Sequence, residues 1–177
     1  GLAGPVTLPG HNMKLGRGGI REIEFFTQTR QIIAGGRDPS LRLRGTVEGL
    51  AQLAVKEWIP VAVAQDLTAH YRFHREVEHR LQMLRDAQTH TLPTTQEEFD
   101  RLAAFMGRET DDLKAEITAR LGAVDAVIER FFRPEESPQG GDEDVPGIAL
   151  DGGVLDDAVL ARWQGYPALR SDRAGQI

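Results

Sequence analysis

The chain has 177 residues, 40% of them hydrophobic and 6% aromatic, so Leu, Ile, Val and Ala must fill most of its core. Its net charge of −6 and pI near 5.4 argue against a nucleic-acid binder, because phosphate backbones reward basic surfaces. The absence of cysteine excludes disulfides and thiolate metal sites, and no apolar run approaches the ~18 residues needed to span a bilayer. No signal peptide opens the chain, so a soluble cytoplasmic protein is expected. The missing initiator Met, and the end at Arg173–Ile177 without a helix stop signal, imply a longer native protein.

Gly1 to His11 reads as a Gly/Pro-rich loop, and Asn12 to Leu15 as a short strand or extended lead-in. From Gly19 a helix is predicted. Ile20, Ile23, Phe26 and Ile33 share a face that Phe25 and Ile32 widen, which implies deep burial. Gly35-Gly36 should end it in the left-handed region, with Asp38-Pro39-Ser40 turning the chain. Thr46 can cap a second helix on the seam Val47, Leu50, Ala51, Ala54 and Trp58, and Pro60 breaks it or opens the next. The third helix is the longest, Val61 to Asp86, with the seam Leu67, Tyr71, His74, Val77, Leu81 and Leu84.

Thr94-Thr95-Gln96-Glu97-Glu98 reads as a capping box opening a short fourth helix (Phe99, Leu102, Ala103, Met106) that Gly107 closes. Thr110 should cap a fifth, with the seam Leu113, Ile117, Leu121, Val124, Ile128 and Phe131 and a stop at Arg133-Pro134. The fold class is therefore all-α: a helical bundle of about five helices, followed by a disordered acidic linker and a short C-terminal helix. In residue numbers the division is 1–18 lead-in loop, 19–133 bundle, 134–153 acidic linker and 154–177 helical segment (Leu155, Val159, Trp163).

Chemistry could sit first at Gly16-Arg17-Gly18-Gly19, which runs into the first helix. Backbone N–H groups at a helix start can form an anion site, and Lys14, Arg17 and Arg21 would add charge-assisted contacts. The spacing is neither a Walker A loop nor a complete GxGxxG, and on the residues alone a tight turn needing glycine is the weightier reading. From Lys14 to Arg44 there are seven Lys/Arg and three Asp/Glu, whereas Glu135 to Asp157 holds eight Asp/Glu and no Lys/Arg. That basic end could face a nucleotide, another domain or an acidic partner, or simply be a solvated surface.

Glu22 and Glu24, two apart on a helix, point some ~200° from each other and cannot easily share an ion. Glu22 suits pairing with a nearby Lys or Arg, while Glu24, inside an apolar run, is the better candidate for a buried orienting role. His70, His74 and Glu78 are spaced by four, as in some metal sites, yet no further ligand cluster is evident. A bundle histidine satisfied by a carboxylate is the simpler account. Gln88 to Pro93 reads as a helix C-cap loop whose hydroxyls satisfy helix-end carbonyls.

Four segments, KLGRGGIREIEF (Lys14–Phe25), GGRDPSLR (Gly35–Arg42), YRFHREVEHRLQ (Tyr71–Gln82) and DAQTHTLP (Asp86–Pro93), together resemble the glutamate–ammonia ligase (glutamine synthetase) adenylyltransferase/adenylyl-removing enzymes. The resemblance runs from about Met13 to Phe132, and a looser likeness extends to the PII uridylyltransferases. It implies a chain with two nucleotidyltransferase halves, each a polymerase-β-like catalytic domain followed by a helical bundle. One half attaches AMP from ATP to glutamine synthetase and the other removes it by phosphorolysis. The wording GRGGIREIEF with QTHTLP resembles the amino-terminal, AMP-removing half.

Implied partners are the protein's own nucleotidyltransferase domains, glutamine synthetase and a PII signalling protein, with no nucleic acid and no membrane. Implied cofactors are Mg and ATP/ADP in the full-length enzyme, and none in this fragment. The family's Gly-Ser…Asp-x-Asp metal motif is absent here, so the fragment alone should be inactive and no catalytic or metal residue carries over. What carries over is Gly16, Arg17, Gly18, Gly19, Arg21, Glu22 and Glu24, with Lys14 beside them, as a nucleotide/phosphate or interdomain contact. A regulatory module relaying PII or glutamine signals, or a structural spacer, is the alternative.

Overall fold

In a computed structural model, residues 6–85 and 88–132 are described. They fall within a compact unit, Gly1–Arg133. A second unit, Pro134–Ile177, holds the expected acidic linker, terminal helix and Arg133-Pro134 stop's proline, all outside the described residues. Five α-helices make up the described part: α1 Ile20–Gly35, α2 Thr46–Val55, α3 Val61–Leu84, α4 Gln96–Phe105 and α5 Thr110–Phe132. A short 3-10 turn, Pro39–Leu41, lies between α1 and α2. Among the described residues there is no β-strand, and the lead-in makes one isolated antiparallel bridge, Asn12 with Thr91. The all-α bundle follows from the seams.

Two apolar clusters share the long helices α3 and α5. One holds Met13, Val77, Leu81, Phe99, Leu102, Ile117 and Leu121, and joins α3, α4 and α5 to the lead-in. The other holds Ile23, Phe26, Leu50, Leu53, Leu67 and Val124, and joins α1 and α2 to the first half of α3 and the far end of α5. Met13 is fully buried, so the lead-in loop is part of the core packing. Burying such Leu, Ile and Phe side chains stabilises the fold by ~1.5–3 kcal/mol each.

The helix ends show what local chemistry controls. Thr95 caps α4 by accepting from the Glu98 N–H, and Gly107, at φ +67°, closes it in the left-handed region. Asp38 caps the 3-10 turn by accepting from Ser40 N, and Lys56 pairs with the same carboxylate at 3.0 Å. These contacts, the Ser40 hydroxyl first, hold the Asp38 carboxyl down at about 2.

Several expectations need correcting. Gly36 is right-handed at φ −65°, because the chain continues from α1 through Arg37 and Asp38 N–H groups that both return to the Ala34 carbonyl. Gly45, not Thr46, stands at the N-cap of α2, without a side-chain cap. That helix stops at Val55, since Glu57 adopts φ +59° and Trp58 N–H reaches back to Leu53 O. Trp58 is therefore exposed, and within α2 the buried positions are Gly49, Leu50 and Leu53, with Ala51 exposed on another face. Helix α3 ends at Leu84, itself exposed, rather than Asp86. Thr110 is the first residue of α5, and its hydroxyl donates to Asp100. Helix α1 is apolar on two faces but buried on one: Ile20, Ile23 and Phe26 are inside, while Phe25, Ile32 and Ile33 are exposed.

Candidate functional site

The segment Lys14–Glu24 is a loop wound tightly on its own backbone before it becomes α1. Asn12 starts the winding: its side-chain Oδ1 accepts from both Lys14 and Leu15 N–H at 2.9 Å, and its carbonyl accepts from Gly16 N–H at 2.7 Å. The next donors return in order: Gly19 N–H to Gly16 O, Ile20 N–H to Met13 O and Arg21 N–H to Lys14 O, all 2.9–3.0 Å. Gly18 N–H goes to the Glu22 carboxylate at 2.8 Å. The donors that would cradle a phosphate are thus spent on the protein itself. Their engagement favours the tight-turn reading of the glycines, because an engaged N–H is no longer a vacant donor.

Gly18 is the fixed point. It sits at φ +72°, which L side chains rarely adopt, and its Cα lies against the α5 backbone. A Cβ there would stand 2.8 Å from the Leu121 carbonyl carbon and nearer still to its oxygen. On the third side His74 of α3 donates Nε2–H to the Gly18 carbonyl at 3.0 Å. The acceptor fixes the tautomer, leaving Nδ1 bare, buried and without a partner. Burial pushes the His74 imidazole down to about 4, although the Gly18 bond opposes that, so it is neutral near pH 7. One glycine therefore links α1 through Glu22, α3 through His74 and α5 through Leu121, where the two core clusters meet. Gly16 and Gly19 are close-approach positions: a Cβ on Gly19 would lie 2.7 Å from both the Gly16 and Met13 carbonyl oxygens.

The charged residues are mostly spoken for. Arg17 makes a two-pronged ion pair with Asp125 of α5, Nε to Oδ1 at 2.6 Å and Nη2 to Oδ2. The Asp125 bond raises the Arg17 pKa. Arg21 pairs with Glu24 at 3.0 Å, and Tyr71 Oη–H donates to the same carboxylate at 3.4 Å. Lys14, half-buried, pairs with no carboxylate among the described residues. Glu22 and Glu24 exchange the roles that periodicity suggested. Glu22 is the inward carboxylate, its pKa raised by burial against the opposing Gly18 bond, and Glu24 is the one in an ion pair.

Sequence reasoning missed Asp125, Asn12 and the Gly18 contact of His74. Asn12 carried a usable signal, an Asx residue opening a glycine-rich turn. Nothing comparable marked Asp125. The histidines divide as follows. His70 Nδ1 faces Arg120 Nη1 at 3.2 Å, and burial lowers its pKa. His74 bonds a backbone carbonyl through Nε2 and no carboxylate, because it lies beneath the loop. Glu78, buried, pairs with Arg75 at 2.7 Å and lies 2.8 Å from His90 Nδ1. No group of three His, Asp or Glu side chains among the described residues could hold a metal ion. The Gln88–Pro93 segment does not cap α3 with hydroxyls. It pairs by backbone with the lead-in, Met13 N–H to His90 O and Leu92 N–H to His11 O, both 2.8 Å.

An all-helical unit whose N-terminal signature loop is locked to three helices is what this sequence builds. The chain belongs to the GlnD PII-uridylyltransferase family, whose model matches residues 4–134. Its curated relatives include the bifunctional glutamine synthetase adenylyltransferase/adenylyl-removing enzyme of Agrobacterium fabrum, 53% identical over 129 residues, or 73% of this chain and 13% of that protein. The enzyme of the same name from Rhizobium meliloti is 51% identical over 129 residues, again 73% and 13%. That of Rhodopseudomonas palustris strain TIE-1 is 43% identical over 155 residues, 88% of this chain and 16% of that protein. The chain thus spans between 13% and 16% of the length of these relatives. The resemblance carried by the four segments holds. No helix among the described residues is long and apolar enough to cross a membrane.

Proposed function

We propose that the chain is a helical domain of a bifunctional enzyme that adenylylates and de-adenylylates glutamine synthetase. It belongs in this reading to the AMP-removing half, and its Lys14–Glu24 loop packs against the nucleotidyltransferase domain of that half. The observation that carries the proposal is the locked loop itself. With its backbone donors spent and Arg17 tied to Asp125, it offers a fixed edge on which Lys14 and the Arg21–Glu24 pair are half-exposed. Such an edge suits a contact between domains, because its order costs nothing further on docking. Mg and ATP or ADP would belong in this reading to the nucleotidyltransferase domains. Glutamine synthetase as substrate and PII as a regulatory partner come with the same reading, and a cytoplasmic setting follows from them.

In the full-length protein, Lys14→Ala combined with Arg21→Ala should slow AMP removal about tenfold, as expected for the loss of one charge-assisted contact worth ~1.5 kcal/mol. The AMP-attaching rate should change less. Unchanged kinetics in both directions would overturn the proposal.

A further inference from the structure

The outer face of α1 carries an arginine with two aromatic neighbours and, among the described residues, no acid. Arg30 lies over the Phe131 ring at 4.9 Å and over the Phe26 ring at 5.7 Å, and its Nη2 reaches the Phe131 carbonyl at 3.5 Å. No carboxylate among the described residues pairs with it, and its Nε is buried without a hydrogen-bond partner. Burial lowers the pKa of this guanidinium, the direction expected for a cation taken from water without a counter-charge. One residue earlier, Thr29 Oγ1 is buried and likewise has no partner. Around these polar groups the surface is apolar. Ile32 and Ile33 are each 54% exposed, and Phe25 and Phe132, with ring centroids 5.4 Å apart, are each 39% exposed.

At 100° per residue, Ile32, Phe25, Thr29, Ile33 and Arg30 occupy one continuous arc of about 160° on α1. α5 covers Phe26 beneath that arc with Phe131 and Phe132, and leaves Ile32 and Ile33 open. Aromatic residues and arginine are the types that anchor protein interfaces, and a desolvated arginine without its acid selects the partner's charge. At ~1.5 Å per residue this face runs along α1 from Phe25, about 6 Å beyond Arg21, to Ile33, about 18 Å beyond it, so it begins where the signature segment ends.

We propose that the face made by Phe25, Arg30, Ile32, Ile33 and Phe132 docks a carboxylate-bearing apolar surface on another domain of the same polypeptide. Charge complementarity selects the acid. The length of the relatives, of which this chain spans 13–16%, supplies the domain. The inference rests on the chain being part of such a longer protein, as the proposed function also requires.

Hydroxyl-radical footprinting of the 177-residue chain and of the full-length protein tests it. Oxidation of Phe25, Ile32, Ile33 and Phe132 should fall several-fold in the full-length protein, while the exposed Val55 and Val61 serve as unchanged references. Arg30→Glu in the full-length protein should restore the labelling, and Ile32→Asp, at an exposed position, should do the same without touching the core. Equal labelling of the four residues in both proteins would overturn the inference. So would protection in the short chain that grows with its concentration, since a second copy would then be the occupant. AMP removal measured on the same preparations reads the proposed function separately.

Discussion

Gly18→Ala and Gly107→Ala place the same methyl group on the same kind of backbone, φ +72° and φ +67°, in opposite surroundings. A Cβ on Gly107 meets nothing within 4 Å, whereas one on Gly18 runs into the Leu121 backbone, with the Leu121 Cα at 2.9 Å. The left-handed conformation costs alanine ~1–2 kcal/mol, offset in part by ~0.4–1 kcal/mol from a stiffer unfolded chain, so Gly107→Ala should destabilise by about 1 kcal/mol. Gly18→Ala carries that cost too. In addition the loop must withdraw from α5, which loosens the Glu22 and His74 hydrogen bonds at ~1–1.5 kcal/mol each. The difference between the two variants should be about 2–3 kcal/mol. Urea unfolding of the 177-residue chain, with a slope of ~2 kcal/mol/M, would put the two midpoints about 1–1.5 M apart. Midpoints within ~0.5 M of each other would refute the claim that Gly18 is held against α5.

Two further predictions concern the same junction. Because burial holds the His74 pKa at about 4 against 6.5 when free, the unfolded chain binds the extra proton between those values. Stability should therefore fall as pH drops from 6.5 toward 4, by up to ~3 kcal/mol from this group. Glu22, raised above its usual 4.5 by burial, acts in the opposite sense above that pH and blunts the slope. His74→Gln should flatten the urea-midpoint profile between pH 4 and 6.5, and an unaltered profile would rule His74 out as its source. The Arg17–Asp125 pair should show a favourable coupling in a double-mutant cycle, reduced in 1 M NaCl. Additive single variants would show that the pair holds nothing.

What could be read from the sequence was what lies within one helix. The seams Leu113–Ile117–Leu121–Val124 and Leu67–His74–Val77–Leu81 are buried as their spacing requires, and Gly107 and Thr95 end and begin α4 by local chemistry. Exposure of Phe25, Ile32 and Ile33 could not be read, because two apolar stripes on α1 look alike until α2, α3 and α5 are seen to bury one of them. The Gly18 contacts were out of reach for a different reason. His74 lies 56 residues from Gly18 and Asp125 lies 108 from Arg17, and no periodicity spans such gaps. Nor does any pattern announce that a histidine will answer to a backbone carbonyl instead of a side chain.

The same contacts show how a phosphate-like motif can serve packing. In a nucleotide loop the glycines leave successive N–H groups pointing into space, and the bound anion completes the turn. In this loop the Glu22 carboxylate takes the place of the anion at Gly18 N–H, and backbone carbonyls take the donors of Gly19, Ile20 and Arg21. An internal carboxylate does for the loop what a phosphate would, permanently and without a ligand. Each fixed residue of Lys14–Glu24 then has a mechanical reason. Gly18 allows α5 to approach, Glu22 closes the turn, Arg17 ties the turn to Asp125, and Arg21 holds Glu24 toward Tyr71 of α3.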